Sequence, residues 1–261
     1  MKFKRIVIAG IVLLGILSGL SASAQIKNVK NLPKYNHGER LHFGFTLAAN
    51  QMLFSLKMKP GFEDRKYTNV DIGGDSAFLY ALSPQPTIGF TIGIVSDLRM
   101  GKYFNLRFVP SLAFGERNLN YSILQYDFDE QNQQLTTTLV DIQKNVPSTF
   151  VEFPFHIKYR SKRMNNIGAY LLTGAKYTLD LASNANKKKD NADETYIKLN
   201  KHDAMMEVGV GFDFYTEFFK FGVEAKMGYG LTDIMQRDES IYSEEIERIN
   251  SKVFMLSFTF E

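Results

Sequence analysis

The chain of 261 residues contains no cysteine. That absence excludes thiolate metal sites, cysteine nucleophiles and dependence on disulfides, and it is compatible with an exported protein that folds without them. Histidine is scarce, confined to His37, His42, His156 and His202. Charge of one sign is lacking as well. The formal excess of +3 resides at Lys2, Lys4 and Arg5; without them acids and bases balance, so total charge gives no footprint for nucleic acid. Beyond residue 24 there is no apolar run of the roughly 18 residues that a spanning helix requires. A mature chain that crosses a membrane must therefore do so as a closed barrel.

Residues 1–24 read as a secretory signal peptide. Lys2, Lys4 and Arg5 form a positive start, Ile6 to Leu20 an apolar stretch, and Ala22-Ser23-Ala24 a small-residue cleavage site before Gln25. A periplasmic N-terminal segment, 25–40, and a barrel, 41–261, complete the expected organisation.

Beyond the leader the sequence alternates. From Asp203 to Tyr215, the side chains of Ala204, Met206, Val208, Val210, Phe212 and Phe214 interleave with Asp203, Met205, Glu207, Gly209, Gly211, Asp213 and Tyr215. Successive strand residues point to opposite faces, so one face is apolar and the other carries charge and glycine. Seven further segments behave alike: Leu41 to about Phe54, Thr87 to Arg99, Phe104 to Tyr121, Thr149 to Arg160, Ile167 to Ala182, Phe219 to Leu231 and Lys252 to Phe260. Each has the length of a tilted membrane strand. Short turns at Gly101-Lys102, Lys162 to Asn166 and Thr216-Glu217 alternate with long polar connections over 55–86, 122–148, 183–202 and 232–251.

The pattern predicts an all-β fold: an eight-stranded antiparallel transmembrane β-barrel with four long extracellular loops and three short periplasmic turns. It would sit in the outer membrane of a Gram-negative cell, against outer-membrane lipid, with both termini periplasmic. A soluble barrel with an apolar interior shares the periodicity. Glycine separates the two readings, because Gly89, Gly93, Gly115, Gly209, Gly211, Gly222 and Gly228 share the charged face. A narrow lumen needs small residues beside long ones there, and the 22 Phe of the chain suit lipid contact.

The inward face holds a charge network of Asp97, Arg99, Arg107, Arg117, Glu152, His156, Lys158, Arg160, Lys176, Asp180, Glu207, Asp213, Lys220, Glu224 and Lys226, with Asp203 on the same face. An eight-stranded interior has room only for side chains, so near-equal numbers of acids and bases there predict a plug of ion pairs and no pore.

Several stretches carry a resemblance: Asn31 to Tyr35, Ile94 to Arg99 with Asn105 to Pro110, Phe150-Val151-Glu152-Phe153-Pro154 with Lys158 to Arg163, and Tyr177 to Leu181. In order and spacing they resemble the PorT family of outer-membrane barrels over most of the mature chain. The resemblance implies a non-enzymatic component of type IX secretion, through which bacteria of the Bacteroidota export folded cargo. It implies partners among the other secretion-system proteins, no translocation pore in this chain and no catalytic residues. One departure is the ending, where Glu261 displaces the terminal aromatic by one position.

Other chemistry finds little support. Lipid-modifying barrels need a nucleophile with an adjacent base near the lipid boundary; His202 is the one histidine placed there, and no triad surrounds it. Asp190, Asp193 and Glu194 match no defined calcium loop, and Lys187-Lys188-Lys189 read as solvated loop charge. No metal, cofactor or small-molecule substrate is expected. Ser243 to Ile249 is read as a short helix with Ile246 and Ile249 on one side, a candidate partner surface and equally a loop lid. The alternatives are a barrel that binds or modifies surface lipid and an adhesin-like barrel.

The mature protein is expected to begin at Gln25 and to fractionate with the outer membrane. N-terminal sequencing of the membrane-extracted protein checks both; retention of residues 1–24, or recovery in the soluble periplasm, contradicts them.

Overall fold

The computed structural model describes residues 40–67, 76–129, 134–183, 198–237 and 242–261. The expected leader, the segment 25–40 apart from Arg40, and Lys187 to Asp190, Asp193 and Glu194 lie outside the described residues. Ten strands are present: β1 (Leu41–Met58), β2 (Ser76–Gln85), β3 (Thr87–Arg99), β4 (Phe104–Phe108), β5 (Ser111–Asp129), β6 (Gln134–Arg160), β7 (Ile167–Asp180), β8 (His202–Tyr215), β9 (Lys220–Gly230) and β10 (Ile246–Phe260). The one helical element among the described residues is a 3-10 turn at Phe62–Asp64.

The sheet closes because β1 pairs with β10 on one side, Phe45 opposite Phe260, and with β3 on the other, Leu41 opposite Leu98. β2 and β3 are two stretches of one strand parted at Pro86, and β4 and β5 of another parted at Val109 and Pro110. Proline has no N–H to give the ladder, which explains the breaks. Pairing continues across both, since β3 faces β4 and β5, and β5 faces β2 and β3. The ring thus has eight strands, antiparallel throughout, and its backbone groups are satisfied within the sheet as lipid demands.

Side chains follow the predicted alternation in β8, where exposed and buried positions alternate with one half-buried exception at Gly209. The outside of the ring is apolar: Ile88 is 79% exposed, Phe43 64% and Val210 52%. Aromatic pairs stack along it, as at Phe108–Phe155 (4.4 Å between centroids) and Phe90–Phe114 (4.9 Å).

Towards the long-loop end the polarity inverts. Along β5 the inward side chains change from Ser111 and Arg117 to Leu119, Tyr121 and Ile123, all buried. The outward ones change from Leu112 to Glu116 and Ser122. That stretch obeys the rule of a water-soluble protein, with apolar residues inside. The structure therefore corrects several segment boundaries, and within the connection expected at 55–86 β1 runs on to Met58 and β2 occupies Ser76–Gln85. β5 continues to Asp129 and β6 starts at Gln134, so most of the connection expected at 122–148 is a paired hairpin, Asp129 opposite Gln134. β10 starts at Ile246, within the connection expected at 232–251.

The expected helix at Ser243 to Ile249 is also corrected. Turn residues precede Ile246, and the strand pairs Ile249 with Leu56 and Ile246 with Met58 across an irregularity at Lys57/Met58. That irregularity lets side chains three positions apart face the same way, which a regular strand forbids. Both isoleucines are 0% exposed, so they form no partner surface.

Gly211 lies opposite Tyr170 in the β7–β8 ladder, and a Cβ there would lie 2.6 Å from the Tyr170 hydroxyl oxygen. The tyrosine lies across the bare glycine. Val210→Lys, on the outer wall, is expected to lower stability by about 2–4 kcal/mol, as lysine does near the bilayer midplane. Gly211→Leu is expected to prevent Tyr170 from seating. Heat-modifiable gel mobility and urea titration in lipid vesicles check both; a harmless Val210→Lys contradicts the lipid-facing assignment.

Candidate functional site

The lumen contains three tiers of ion pairs. Nearest the short turns, Arg107 on β4 donates from Nε and Nη2 to Asp97 Oδ2 (3.1 and 2.9 Å), and pairs with Glu224 and with Glu261 Oε1 (2.5 Å). β4 and β9 lie four positions apart in either direction round the ring, so the Arg107–Glu224 pair spans the full lumen. Tyr170 Oη donates to Glu224 (2.8 Å), Asn105 donates to Asp97, and Lys220 pairs with Glu261. Lys158 Nζ meets Asp213 at 2.8 Å and lies 3.7 Å from the centroid of the Tyr170 ring. Arg107 is 1% exposed and Lys158 0%.

In the middle tier Lys176 Nζ lies 2.8 Å from both Glu152 and Glu207. His156 Nε2 shares a hydrogen bond with Glu207 (2.7 Å), and Ser111 donates to Glu152 (3.2 Å). Lys226 joins this tier to Glu224 at 3.2 Å. In the upper tier Arg117 donates to Asp180 (2.8 Å) and Ser148 (2.8 Å), with its guanidinium between the rings of Phe54 and Phe150. Asp203 accepts from Thr232 (2.5 Å). Buried ions are tolerated when each is paired and hydrogen-bonded, as Arg107, Lys158, Lys176 and Arg117 are with their carboxylates, whereas Asp203 meets Thr232 at one oxygen and no hydrogen-bond donor among the described residues at the other.

Of the fifteen residues assigned to the lumen from the sequence, Asp97, Arg107, Arg117, Glu152, His156, Lys158, Lys176, Asp180, Glu207, Asp213, Lys220 and Glu224 are buried, and Lys226 is half-buried in its ion pair. Arg99 and Arg160 share the inward parity but lie half-exposed beside the short turns, Arg99 donating to Gly101 (3.1 Å). Glu261 is a lumen residue that the alternation reading leaves out, though its parity with Ser257 and Thr259 marks it as inward.

Above the upper tier a second core begins. Phe54, Leu79, Leu119, Tyr121, Ile123 and Val146 from the strands pack with Leu199, Ile234, Met235 and Tyr242 from the connections and with Ile246 and Ile249. Tyr121 Oη donates to the Tyr242 carbonyl (3.0 Å), and their rings meet edge to face at 5.1 Å. At its margin Tyr67 donates to buried Glu245, which Arg65 approaches at 3.2 Å. Burial, with help from the Glu245 carboxylate, pushes the Tyr67 hydroxyl above its ordinary range.

This end is thus a cored head with a charged surface. His202, which the sequence reading placed at the lipid boundary, shares a 2.5 Å hydrogen bond with Tyr177 and stacks on its ring. Among the described residues no group of three His, Asp or Glu side chains is arranged to hold a metal ion.

Arg107→Met leaves Asp97, Glu224 and Glu261 buried without their common cation and is expected to cost about 3–5 kcal/mol. Ile249→Ala is expected to cost about 2–5 kcal/mol through the head core. Urea unfolding followed by gel mobility checks the first. Protease protection of the head with the ring intact checks the second.

No curated protein matches the chain. Solved structures similar to it include two outer-membrane proteins. The attachment invasion locus protein Ail of Yersinia pestis, solved in complex with the heparin analogue sucrose octasulfate, is 10% identical with a TM-score of 0.36, covering 85% of this chain and 99% of its own. The outer membrane protein OprG from Pseudomonas aeruginosa is 10% identical with a TM-score of 0.33, covering 84% and 91%. Residues 23–236 match the model of the outer membrane protein beta-barrel domain. With most of its length matched, and with a closed ring that is apolar outside and charged within, the chain belongs to the outer membrane protein beta-barrel domain family.

Proposed function

We propose that this chain is a non-enzymatic component of type IX protein secretion that acts through its surfaces and is not the translocation pore. The observation that carries the reading is the braced lumen. Arg107 and Glu224 meet across the ring, and further pairs stack above them. Eight strands give a lumen of side-chain width, and this one is filled with ions that neutralise one another, so no protein cargo passes through it. An export role is then exerted on other secretion-system proteins. The PorT-like order of motifs supports that machinery; its most distinctive string, Phe150 to Pro154, lies on β6 and carries Glu152 into the middle tier. In this reading the short turns and both termini are periplasmic, the cored head is extracellular, and no cofactor or small-molecule substrate takes part.

A second reading, an adhesin-like barrel, draws on the head, which has its own apolar core and a charged surface to offer a ligand. Deletion of the gene separates the two. Cargo is expected to disappear from the medium and accumulate in the cells, with full restoration by a folded Glu152→Gln variant. Normal secretion in the deletion strain contradicts the export reading. Failure of a stably folded Glu152→Gln contradicts the assignment of the lumen to structure.

A further inference from the structure

We propose that the short-turn end of the barrel is a cationic mouth that receives an extended acidic segment of a periplasmic protein. The site rests on the periplasmic placement of the short turns and is independent of the export role. Six cations follow one another round that rim: Arg40 ahead of β1, Arg99 at the end of β3, Lys102 in the next turn, Arg160 at the end of β6, and Lys162 and Arg163 in the turn after it. Among the described residues the only exposed acidic side chain at this end is Glu217. The Arg99 N–H donates to the Arg40 carbonyl (2.7 Å), which sets those two residues side by side. The Arg163 guanidinium lies 4.3 Å from the centroid of the Tyr215 ring, and Arg160 is within electrostatic reach of the same tyrosine.

These charges are surplus to the fold. In the tier just above, Asp97, Asp213, Glu224 and Glu261 are already matched by Arg107, Lys158, Lys220 and Lys226. Lys102, Arg160 and Lys162 pair with no carboxylate among the described residues, and the Arg160 Nε is buried there without a hydrogen-bond partner. The head is different: its exposed Lys57, Arg65 and Arg237 meet Glu247 (2.6 Å), Glu244 (3.1 Å) and Asp233 (2.8 Å). Residues 25–39, which lead into Arg40, carry Lys27, Lys30 and Lys34 against Glu39, so the adjoining sequence adds charge of the same sign. The anion that suits this rim therefore comes from another molecule.

Position decides what kind of anion. Arg99 and Arg160 have the inward parity of the lumen charges, whereas the outward positions of the same edge are Leu98, Phe104, Tyr159, Ile167, Phe214 and Phe219, all exposed. Lipid headgroups thus meet a collar without charge, and the cations surround the opening. They run from β1 to the turn before β7, over five neighbouring strands. At about 4.8 Å between strands that rim is about 20 Å long, which a single phosphate cannot span and about six residues of extended chain can. Guanidinium groups take carboxylates through two parallel hydrogen bonds, so Asp or Glu side chains spaced along such a chain suit the arginines of the arc.

A fluorescein-labelled octapeptide of alternating Asp and Gly, and its Asn counterpart, titrated by anisotropy against the mature protein in neutral detergent, test the site. The Asp peptide is expected to bind at least about tenfold more tightly. Lys102→Gln with Arg160→Gln and Lys162→Gln is expected to abolish that preference. Lys102→Gln with Lys162→Gln, both in exposed turns, is expected to weaken it severalfold, with heat-modifiable mobility confirming the fold of each variant. Lys57→Gln with Arg237→Gln, at the head, is expected to leave it intact. Binding is read on purified protein, so its failure leaves the export reading untouched. Equal binding of the two peptides overturns the proposal, as does a preference that survives the triple substitution or is lost with the head pair. Native mass spectrometry showing retained phosphatidylglycerol over phosphatidylcholine, abolished by the same triple substitution, overturns it in favour of lipid headgroups.

Discussion

The guanidinium of Arg107 gathers three carboxylates, which arrive from β3, from β9 and from the residue after β10. An eight-stranded ring leaves a lumen only a side chain or two wide, too narrow to hydrate a lone ion. Each charge must therefore find its partner among the other lumen side chains. Attraction in such a medium offsets desolvation only where hydrogen bonds complete every group. Tyr170 and Asn105 do this for the carboxylates around Arg107, and Gly211 gives Tyr170 the space to reach. Closure of the ring and pairing of the charges are consequently one event. Glu261 shows the link directly: its backbone pairs with Lys220 on β9 (3.0 and 2.7 Å) while its side chain reaches Arg107.

The same strands serve two solvents. In the belt, lipid takes the apolar face and the charges turn inward. Above Arg117 the parity of the side chains is unchanged, yet their chemistry is reversed. Arg117 marks the boundary, since its charge engages Asp180 while the rings of Phe54 and Phe150 cover its plane. An arginine suits that place because its flat, weakly hydrated cation can accept carboxylate and aromatic neighbours together.

That reversal explains which features were legible in the sequence. Asp97, Arg107, Glu152 and Glu207 could be assigned inward because lipid tolerates few departures from a period of two, and the strict alternation of β8 survives intact in the fold. β5 and β6 beyond the belt read as polar loop, because their outward residues are hydrophilic and their inward apolar residues no longer mark a lipid face. Ile246 and Ile249 read as one side of a helix because they are three apart. The irregularity opposite Lys57/Met58 produces the same spacing within a strand, and nothing local announces it. Arg99 and Arg160 have the right parity, but depth along the barrel, which leaves them half-exposed, is a property of the assembled ring.

A lumen satisfied in one arrangement has consequences for how function is distributed. Energetic coupling between distant surfaces needs an element with two competing packings, which both sites can bias. The ion-pair tiers hold Arg107 between carboxylates from β3, β9 and the residue after β10, and Lys176 between Glu152 and Glu207 on the two strands that flank its own. The cored head is seated on continuations of β1, β5, β6 and β10, and it inherits that rigidity. The head, the short-turn end and the lipid-facing wall are thus three surfaces held at fixed spacing on one frame, each able to be altered without disturbing the others so long as the charges beneath remain paired.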